Sequence, residues 1–302
     1  METVISIRVD VDTLVGLGKG LPELVRIFSD YGIQASIFVV MGPDTMGTHI
    51  KRFSQKGYLK RILKVNPFKL IRRYGIKAFF YGTLLKSPPI GEVNKPLLLD
   101  LVSQGHEVGI HGYNHAKWAD HYQDLSLEET RAEFTRAFNL YQNIFKVPPL
   151  SSAAPNWRCN ENLLRVETEF PLKYASDTRG VSPFWPVVKN QTFPILQIPT
   201  TLPATHECLQ SGKADKSTVI SVIMERLKPG LNVWTIHDWF EGLSEPQMVK
   251  EFIEKSLEKG YRFMRLGEVA EEVLKKKDQI PESPIVLRKI EGGIGTVSCQ
   301  HS

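Results

Sequence analysis

Strand-like and helix-like runs alternate along most of the 302 residues of this chain, and this alternation restricts its fold more than any other feature. VISIRVD at 4–10 has the character of a strand, LPELVRIFSDYG at 21–32 that of a helix ended by a glycine, and QASIFVVM at 34–41 that of a buried strand. Repeated strand–helix units imply a parallel sheet that is either open or closed into a barrel. We therefore expect one α/β domain with a barrel-like sheet over residues 1–280.

The later part of the chain continues this alternation. Helix-like runs lie at 95–105, 126–145, 216–228 and 246–260, and strand-like runs lie at 107–111, 173–177, 195–199, 231–237 and 261–265. Ser126 and Glu129 have the spacing of a capping box at the start of the longest helix-like run. Residues 281–302 contain several glycines and prolines, and we expect them to form a peripheral tail.

One segment makes the chain basic. Eleven Lys and Arg residues and no acidic residue lie between Asp44 and Glu92, whereas the rest of the chain is net acidic. Aromatic and aliphatic residues are interleaved with these cations. We expect an insertion at about 45–92, after the second strand, that docks through residues 51–86 onto an anionic membrane surface. A nucleic-acid surface is the alternative, but the sequence has no recognised nucleic-acid motif, so we expect no such partner.

Side chains suited to metal binding and acid–base chemistry follow three of the strand-like runs. Asp10 and Asp12 end the first run, and their spacing puts them on the same face of a strand, where two like charges repel. His111 ends a second run and His115 follows four residues later, so both imidazoles would face one way on a helical turn. His237 ends a third run. Because the carboxyl ends of parallel strands share one edge of the sheet, Asp12 and the two nearby histidines would form a site for a divalent cation.

Each of these patterns has a structural explanation when it is taken alone. A single His-x3-His pair more often binds no metal, and an Asp-x-Asp pair at a strand end can bind a sugar or cap a helix. An isolated His237 would more often be structural. The joint occurrence of the patterns, in this order and each at a strand end, favours a metal-dependent site.

These segments resemble the polysaccharide deacetylase family, the NodB-homology or carbohydrate esterase 4 group. VDVDT is similar to the first motif of that family, GHEVGIHGYNH to the second and TIH to the last. The third motif of the family is Arg-x-Pro-Tyr, whereas this chain has NWRCNE, which keeps Arg158 and lacks the Pro-Tyr that usually supplies an oxyanion donor. The resemblance implies a single distorted (β/α) barrel of the NodB type, with the basic insertion after its second strand.

The resemblance also implies a role for each matching residue. Three residues would hold one divalent metal ion, with zinc expected and manganese or cobalt as alternatives: Asp12, His111 and His115. Asp10 would be the general base, oriented by Arg158. His237 would be the general acid that protonates the departing amine, and Asp177 would favour its imidazolium form.

Six segments are similar, in matching order, to one branch of that family: RVDVDT, GPDTMGTHI, SAAPNWR, SDTRG, QIPTTLP and TIHDWFEG. That branch deformylates 4-deoxy-4-formamido-L-arabinose linked to undecaprenyl phosphate, for lipid A modification and resistance to cationic peptides. The similarity covers about residues 4–275 and implies metal-dependent hydrolysis of an N-formyl group. Two alternatives remain, a deacetylase of another undecaprenyl-phosphate-linked N-acetylamino sugar and an inactive homologue that binds sugar or lipid.

The sequence also gives expectations about location. METVISIRVD at the start has no basic region leading into an apolar core, so we expect no signal peptide, and no run of about 18 apolar residues predicts a transmembrane helix. Cys159, Cys208 and Cys299 are widely spaced and form no Cys-x2-Cys pair, which favours a reducing compartment. Together with a polyprenyl-linked substrate, this predicts a peripheral protein on the cytoplasmic side of the inner membrane.

Overall fold

The structure is a computed structural model that describes residues 2–45, 80–81, 83–293 and 295–301. Most of the predicted basic insertion, including residues 51–79 of the predicted membrane-docking segment, lies outside the described residues.

Strands and helices alternate in the described residues, as the sequence predicted. The strands are β1 (Thr3–Val11), β2 (Ser36–Val39), β3 (Glu107–Ile110), β4 (Ser151–Ser152), β5 (Tyr174–Ala175), β6 (Trp185–Val188), β7 (Gln191–Thr192), β8 (Leu196–Gln197), β9 (Gly230–His237), β10 (Arg262–Phe263), β11 (Glu282–Lys289) and β12 (Thr296–Gln300). The α-helices are α1 (Leu21–Asp30), α2 (Ile90–Val93), α3 (Lys95–Ser103), α4 (His115–His121), α5 (Leu127–Phe145), α6 (Glu161–Glu167), α7 (Thr205–Gln210), α8 (Val219–Met224), α9 (Pro246–Glu258) and α10 (Leu266–Leu274). Short π-helical turns lie at Gly16–Gly20 and Asp238–Gly242, and 3₁₀ turns lie at Pro155–Trp157 and Lys277–Gln279.

The main sheet is parallel and curls into a half-barrel, which confirms the predicted fold class. Its strands follow the order β10-β1-β2-β3-β4-β5-β8. β10 and β2 pair with different parts of β1, and β9 pairs with the opposite edge of β1. The chain after β8 approaches the far side of the sheet, where the backbone N–H groups of Thr201 and Leu202 donate to the carbonyl of Val233 in β9. All strands of this sheet run in the same direction, so their carboxyl ends meet on one side of the molecule.

Local sequence signals explain several of the element boundaries. The predicted capping box before α5 is present, with Ser126 and Glu129 each bonding the other residue's backbone N–H. The chain after α1 turns at Gly32, whose φ of +63° glycine adopts at little steric cost. β1 is almost entirely buried because strands flank it on both edges and apolar helices cover it, and its alternate residues Ile5, Ile7 and Val9 belong to the largest core cluster.

The carboxy-terminal residues form a second, smaller sheet, and this corrects the expectation of a peripheral tail. Strands β11 and β12 form an antiparallel hairpin, which we call the C-terminal hairpin (residues 282–300), and β11 also pairs with β6 in the strand order β12-β11-β6-β7. Residues 297–300 of β12 are buried. Their burial follows from alternating apolar and small polar side chains that pack against the main domain.

Among the described residues, no helix has the length and apolar character needed to cross a membrane.

Candidate metal and catalytic site

Five of the predicted site residues gather at the carboxyl ends of β9, β1 and β3, of which β9 pairs with β1 and β3 lies one strand beyond, after β2. Asp10 and Asp12 lie at the end of β1, with Asp10 directly opposite His237 at the end of β9. His111 follows β3, and His115 is the first residue of α4. The side chain of Asn114 caps α4 by accepting a hydrogen bond of 2.9 Å from the backbone N–H of Lys117, which starts the helix at His115.

Asp12, His111 and His115 form a metal-binding geometry. One ligand atom from each residue lies within 4.8 Å of the other two. Asp12 Oδ1 is 3.4 Å from His111 Nε2 and 3.6 Å from His115 Nε2. The same oxygen is buried and accepts no hydrogen bond from the described residues. A divalent cation therefore fits the donor set, since it would supply the partner that this oxygen lacks.

The electrostatics of Asp12 also fit a cation. Burial raises the pKa of Asp12 to about 6, and the neighbouring charge of Asp10 contributes to the increase. The other carboxylate oxygen of Asp12 accepts a hydrogen bond of 3.2 Å from the indole N–H of Trp239, which fixes the orientation of the group. A bound cation would stabilise the ionised carboxylate, which burial alone disfavours.

The backbone of the neighbouring loop fixes the tautomer of His111. Its Nδ1 lies 2.9 Å from the carbonyl oxygen of Ala153, so Nδ1–H donates to that carbonyl and Nε2 presents its lone pair to the metal-binding geometry. Asp177 holds the same loop, because its Oδ1 accepts a hydrogen bond of 2.7 Å from the backbone N–H of Ala154. Asp177 therefore supports the loop that orients His111.

Asp10 is held by Arg8, and not by Arg158 as the family resemblance implied. The guanidinium of Arg8 donates to both carboxylate oxygens of Asp10, each at 2.7 Å. Burial alone would raise the pKa of Asp10, but the positive charge of Arg8, with His111, holds it below its usual value. The guanidinium of Arg158 lies instead over the ring of Tyr122, 5.7 Å from its centroid. Arg8 takes the orienting role because it lies on the same face of β1 as Asp10, two residues away.

His237 has a different carboxylate neighbour from the expected Asp177. Both oxygens of Asp177 are engaged elsewhere, since Oδ2 accepts a hydrogen bond of 2.7 Å from the side chain of Gln197. Glu241 accepts a hydrogen bond of 2.8 Å from the backbone N–H of His237, and the same oxygen lies 3.9 Å from His237 Nδ1. Burial, reinforced by nearby His206, lowers the pKa of His237 to about 3. The ring is therefore neutral at neutral pH. This corrects the expectation that Asp177 keeps His237 in its imidazolium form.

Sequence reasoning missed several side chains of this site. Arg8 could have been found from its position two residues before Asp10, a spacing that shares one strand face. His206 in α7 lies against His237, with ring centroids 5.3 Å apart, and no local motif indicates this contact. Trp239 also belongs to the site, because its indole N–H donates to Asp12.

Comparisons with known proteins identify the family of this chain. Residues 4–175 match the family model for polysaccharide deacetylase. The chain is 33% identical over 301 residues to a protein of Shewanella sediminis named probable 4-deoxy-4-formamido-L-arabinose-phosphoundecaprenol deformylase, covering 99% of this chain and 95% of that one. A protein of the same name from Wigglesworthia glossinidia brevipalpis is 31% identical over 290 residues, covering 95% of this chain and 99% of the relative.

Solved structures support the fold. A protein from Mycobacterium smegmatis described as a polysaccharide deacetylase superposes with a TM-score of 0.62 at 17% identity, covering 95% of this chain and 94% of that chain. A carbohydrate esterase 4 pseudoenzyme from Bacillus anthracis superposes with a TM-score of 0.53 at 12% identity, covering 89% of this chain and 66% of that chain. Since a pseudoenzyme shares the fold, the fold alone does not imply activity, and the side chains of the site have to be considered separately.

Proposed function

The chain belongs to the polysaccharide deacetylase family, in the branch of the 4-deoxy-4-formamido-L-arabinose-phosphoundecaprenol deformylases, and we propose that it is a metal-dependent hydrolase that removes the N-formyl group from this lipid-linked sugar. The product would be the free amino sugar on undecaprenyl phosphate, which serves lipid A modification. The observation that supports the proposal most is that Asp12, His111 and His115 converge beside an ionised Asp10 on a chain with deformylase relatives along its length.

The protein residues have distinct roles in the proposed reaction. Asp12, His111 and His115 would hold a divalent cation, which would supply Lewis-acid chemistry and lower the pKa of water at the site. Asp10, kept ionised by Arg8, takes a proton from the water that attacks the formyl carbon. Its Oδ2 faces His111 Nε2 at 3.6 Å, on the side of the metal ligands.

His237 delivers a proton to the leaving nitrogen. Its neutral ring can accept a proton at one nitrogen and release another proton from the second. We propose that the proton removed from water by Asp10 reaches the amine through His237, which is paired with Asp10 across β1 and β9. The C–N bond then breaks to give formate and a neutral amine, which is a far better leaving group than an amide anion.

Mass spectrometry of the lipid-linked formamido sugar tests this proposal. After incubation with the purified protein and Zn²⁺, Mn²⁺ or Co²⁺ in turn, we expect loss of the formyl mass and appearance of formate, with the Asp12→Asn variant inactive. Elemental analysis of the protein as purified tests the further proposal that the metal is zinc. An acetamido analogue carries one extra methyl group, and a pocket fitted to formyl would disfavour it by about 1–3 kcal/mol. Amine release from the acetamido analogue at a rate equal to that from the formamido sugar would therefore contradict formyl specificity.

We further propose that the protein acts at the cytoplasmic surface of the inner membrane, where its polyprenyl substrate resides. Described residues within the basic insertion support this: Leu84 is 80% exposed, and Phe80 and Leu85 are also exposed. Leu84 and Leu85 line a groove of about 790 Å³ that reaches Asn114 beside metal ligand His115. Basic residues near an anionic surface each contribute about 1 kcal/mol to docking.

Liposome flotation tests the docking proposal. A variant with Lys60, Arg61, Lys64, Arg72 and Arg73 changed to Glu should lose flotation with anionic liposomes and turnover of long-chain substrate, yet still hydrolyse a water-soluble analogue. The control changes five exposed lysines elsewhere to Glu: Lys250, Lys259, Lys275, Lys276 and Lys277. Equal loss of flotation in both variants would contradict docking through the insertion.

A further inference from the structure

The C-terminal hairpin forms hydrogen bonds to two loops on the side of the molecule that carries the candidate site. The hydroxyl of Ser298 in β12 donates to the carbonyl of Cys159 at 2.7 Å and accepts from the N–H of Cys159 at 3.0 Å. The backbone of Arg179, which follows β5, donates to the carbonyl of Ser298 at 2.9 Å and accepts from the N–H of Gln300 at 2.7 Å. These bonds fasten the loop after β4 and the loop after β5 to one strand.

The tip of the hairpin touches a third segment beside the site. Gly292 has a φ of +74°, and a Cβ at this position would lie 2.0 Å from the backbone carbonyl oxygen of Glu207 in α7. The same helix contains His206, which contacts His237. A Cβ on Gly295 would lie 3.0 Å from Nη2 of Arg158. Only glycine permits this close approach of the tip to α7.

Trp157 lies between the hairpin and the general base. Asn156 and Trp157 have φ values of +55° and +50°, a conformation that is rare for a bulky residue and that persists only where surrounding contacts enforce it. The Trp157 side chain packs with Val297 and Cys299 of β12, and its indole N–H donates to Thr200 at 2.9 Å. The guanidinium carbon of Arg8 lies over this indole, 5.8 Å from the ring centroid.

We propose that the C-terminal hairpin is a positioning element of the active site, which holds Trp157 in its strained conformation so that the indole fixes the Arg8 guanidinium that orients Asp10. Arg179 joins the same stack, since its guanidinium carbon lies 4.7 Å from the centroid of the Trp157 ring. The expected kinetic effect rests on the proposed function. The structural part of the proposal, which is the position of the Arg8 guanidinium, can be tested without any activity.

Variants of the full-length protein separate this role from general stability. Gly292→Ala forces the tip away from α7, and Ser298→Ala removes both hydrogen bonds to Cys159 with little change in volume. Gly260→Ala is the matched control, because Gly260 also has a positive φ, of +71°, but open space around its Cβ. Circular dichroism and thermal unfolding would establish that each variant folds.

The first readout is kinetic. Gly292→Ala and Ser298→Ala should lower kcat for the formamido substrate at least about tenfold through misplacement of the base, with KM and metal affinity close to wild type. Metal affinity should change little because the hairpin contacts the loop after β4 at Cys159, whereas Asp177 holds the part of this loop that orients His111. Wild-type kcat in both folded variants would overturn the proposal.

The second readout does not depend on activity. Arg8 is fully buried, so phenylglyoxal should modify it slowly in wild type and in Gly260→Ala, and faster in Gly292→Ala and Ser298→Ala, as measured by mass spectrometry of the peptide that contains Arg8. A wild-type protein without hydrolytic activity would contradict the proposed function, and labelling would then decide the present proposal alone. Equal Arg8 labelling in Gly292→Ala and Gly260→Ala would overturn the proposal that the C-terminal hairpin positions Arg8.

Discussion

Asp10 and Asp12 are two residues apart at the end of one strand, yet their surroundings give them opposite electrostatic states. Arg8 holds the pKa of Asp10 low, whereas burial raises the pKa of Asp12 to about 6. A carboxylate with a bidentate arginine partner can remain ionised and accept a proton, and a carboxylate without a cationic partner is suited to a metal ion. The two residues can therefore divide base catalysis and metal binding between them.

Exchanging each aspartate for asparagine should separate these two roles. Asp10→Asn should retain the metal and lose roughly 100-fold or more in kcat, as expected for a lost general base. Asp12→Asn should weaken metal binding by more than the roughly 10–100-fold that outer contacts of metal sites contribute. Metal titration and steady-state kinetics on both proteins check this, and equal metal loss in both would show that Asp10 is a ligand.

Replacing Arg8 should affect catalysis more than replacing Arg158. Arg8→Lys keeps the positive charge but cannot reproduce the two parallel hydrogen bonds to Asp10, so Asp10 is misplaced and kcat should fall roughly 100-fold. Arg158→Lys is the matched variant, since the guanidinium of Arg158 contacts Tyr122. The measurement is kcat with metal content determined in parallel. A larger loss in Arg158→Lys would restore the role that the family resemblance implied.

At the scale of elements, Glu167 of α6 and Asp177, which follows β5, form a buried acidic pair. Glu167 at the end of α6 accepts a hydrogen bond of 2.5 Å from Ser152 in β4, and burial, with the nearby charge of Asp177, raises the pKa of Glu167 well above its ordinary value. Asp177 in turn holds the loop whose Ala153 carbonyl orients His111. The protonation of Glu167 is thus linked to the packing of the elements beside His111.

This buried acid should make stability depend on pH. Because the folded pKa of Glu167 is raised, its contribution to the free energy of unfolding is fully present below the unfolded pKa of about 4.3 and is lost as pH rises through the folded pKa. Glu167→Gln mimics the protonated form, so it should be more stable than wild type at pH 8, and the difference should shrink towards pH 4. Urea unfolding at several pH values measures this.

Glu169→Gln provides the control for that experiment. Glu169 is exposed and paired with Arg131 at 2.7 Å, which lowers its pKa, so its removal should give no gain in stability at pH 8. A gain in Glu169→Gln equal to that in Glu167→Gln would show that the effect comes from net charge and not from the buried pair.

The same elements show what local sequence can and cannot predict. Asp10, Asp12, His111 and His237 could be placed together because each follows a strand of a parallel sheet, and strand ends are readable from local patterns. Their partners depend on tertiary contacts between distant segments, such as that of Ala153 with His111. The C-terminal hairpin was misjudged because its glycines indicate turns, while the surface that β12 covers is formed by segments more than a hundred residues earlier.

At the scale of the whole molecule, the distribution of charge is the feature that the proposed substrate explains best. The eleven cations between Asp44 and Glu92 contrast with a net acidic remainder, so an anionic bilayer would attract that segment and repel the rest of the chain. Leu84 and Leu85, which belong to that segment, line a groove that reaches Asn114, next to His115. A docked orientation would therefore direct a lipid-linked sugar towards the site.

Such docking predicts a salt dependence that differs between two substrates. Raising the ionic strength from about 0.01 M to about 1 M shortens the Debye length from about 30 Å to about 3 Å, which screens attraction to the bilayer. Turnover of the formamido lipid in anionic vesicles should fall steeply over this range. Hydrolysis of a water-soluble formamido analogue should change little, because the buried pair of Arg8 and Asp10 and the largely buried side chains of Asp12, His111 and His115 are screened much less. Parallel decline of both activities would indicate that salt acts on the active site itself and would contradict electrostatic docking.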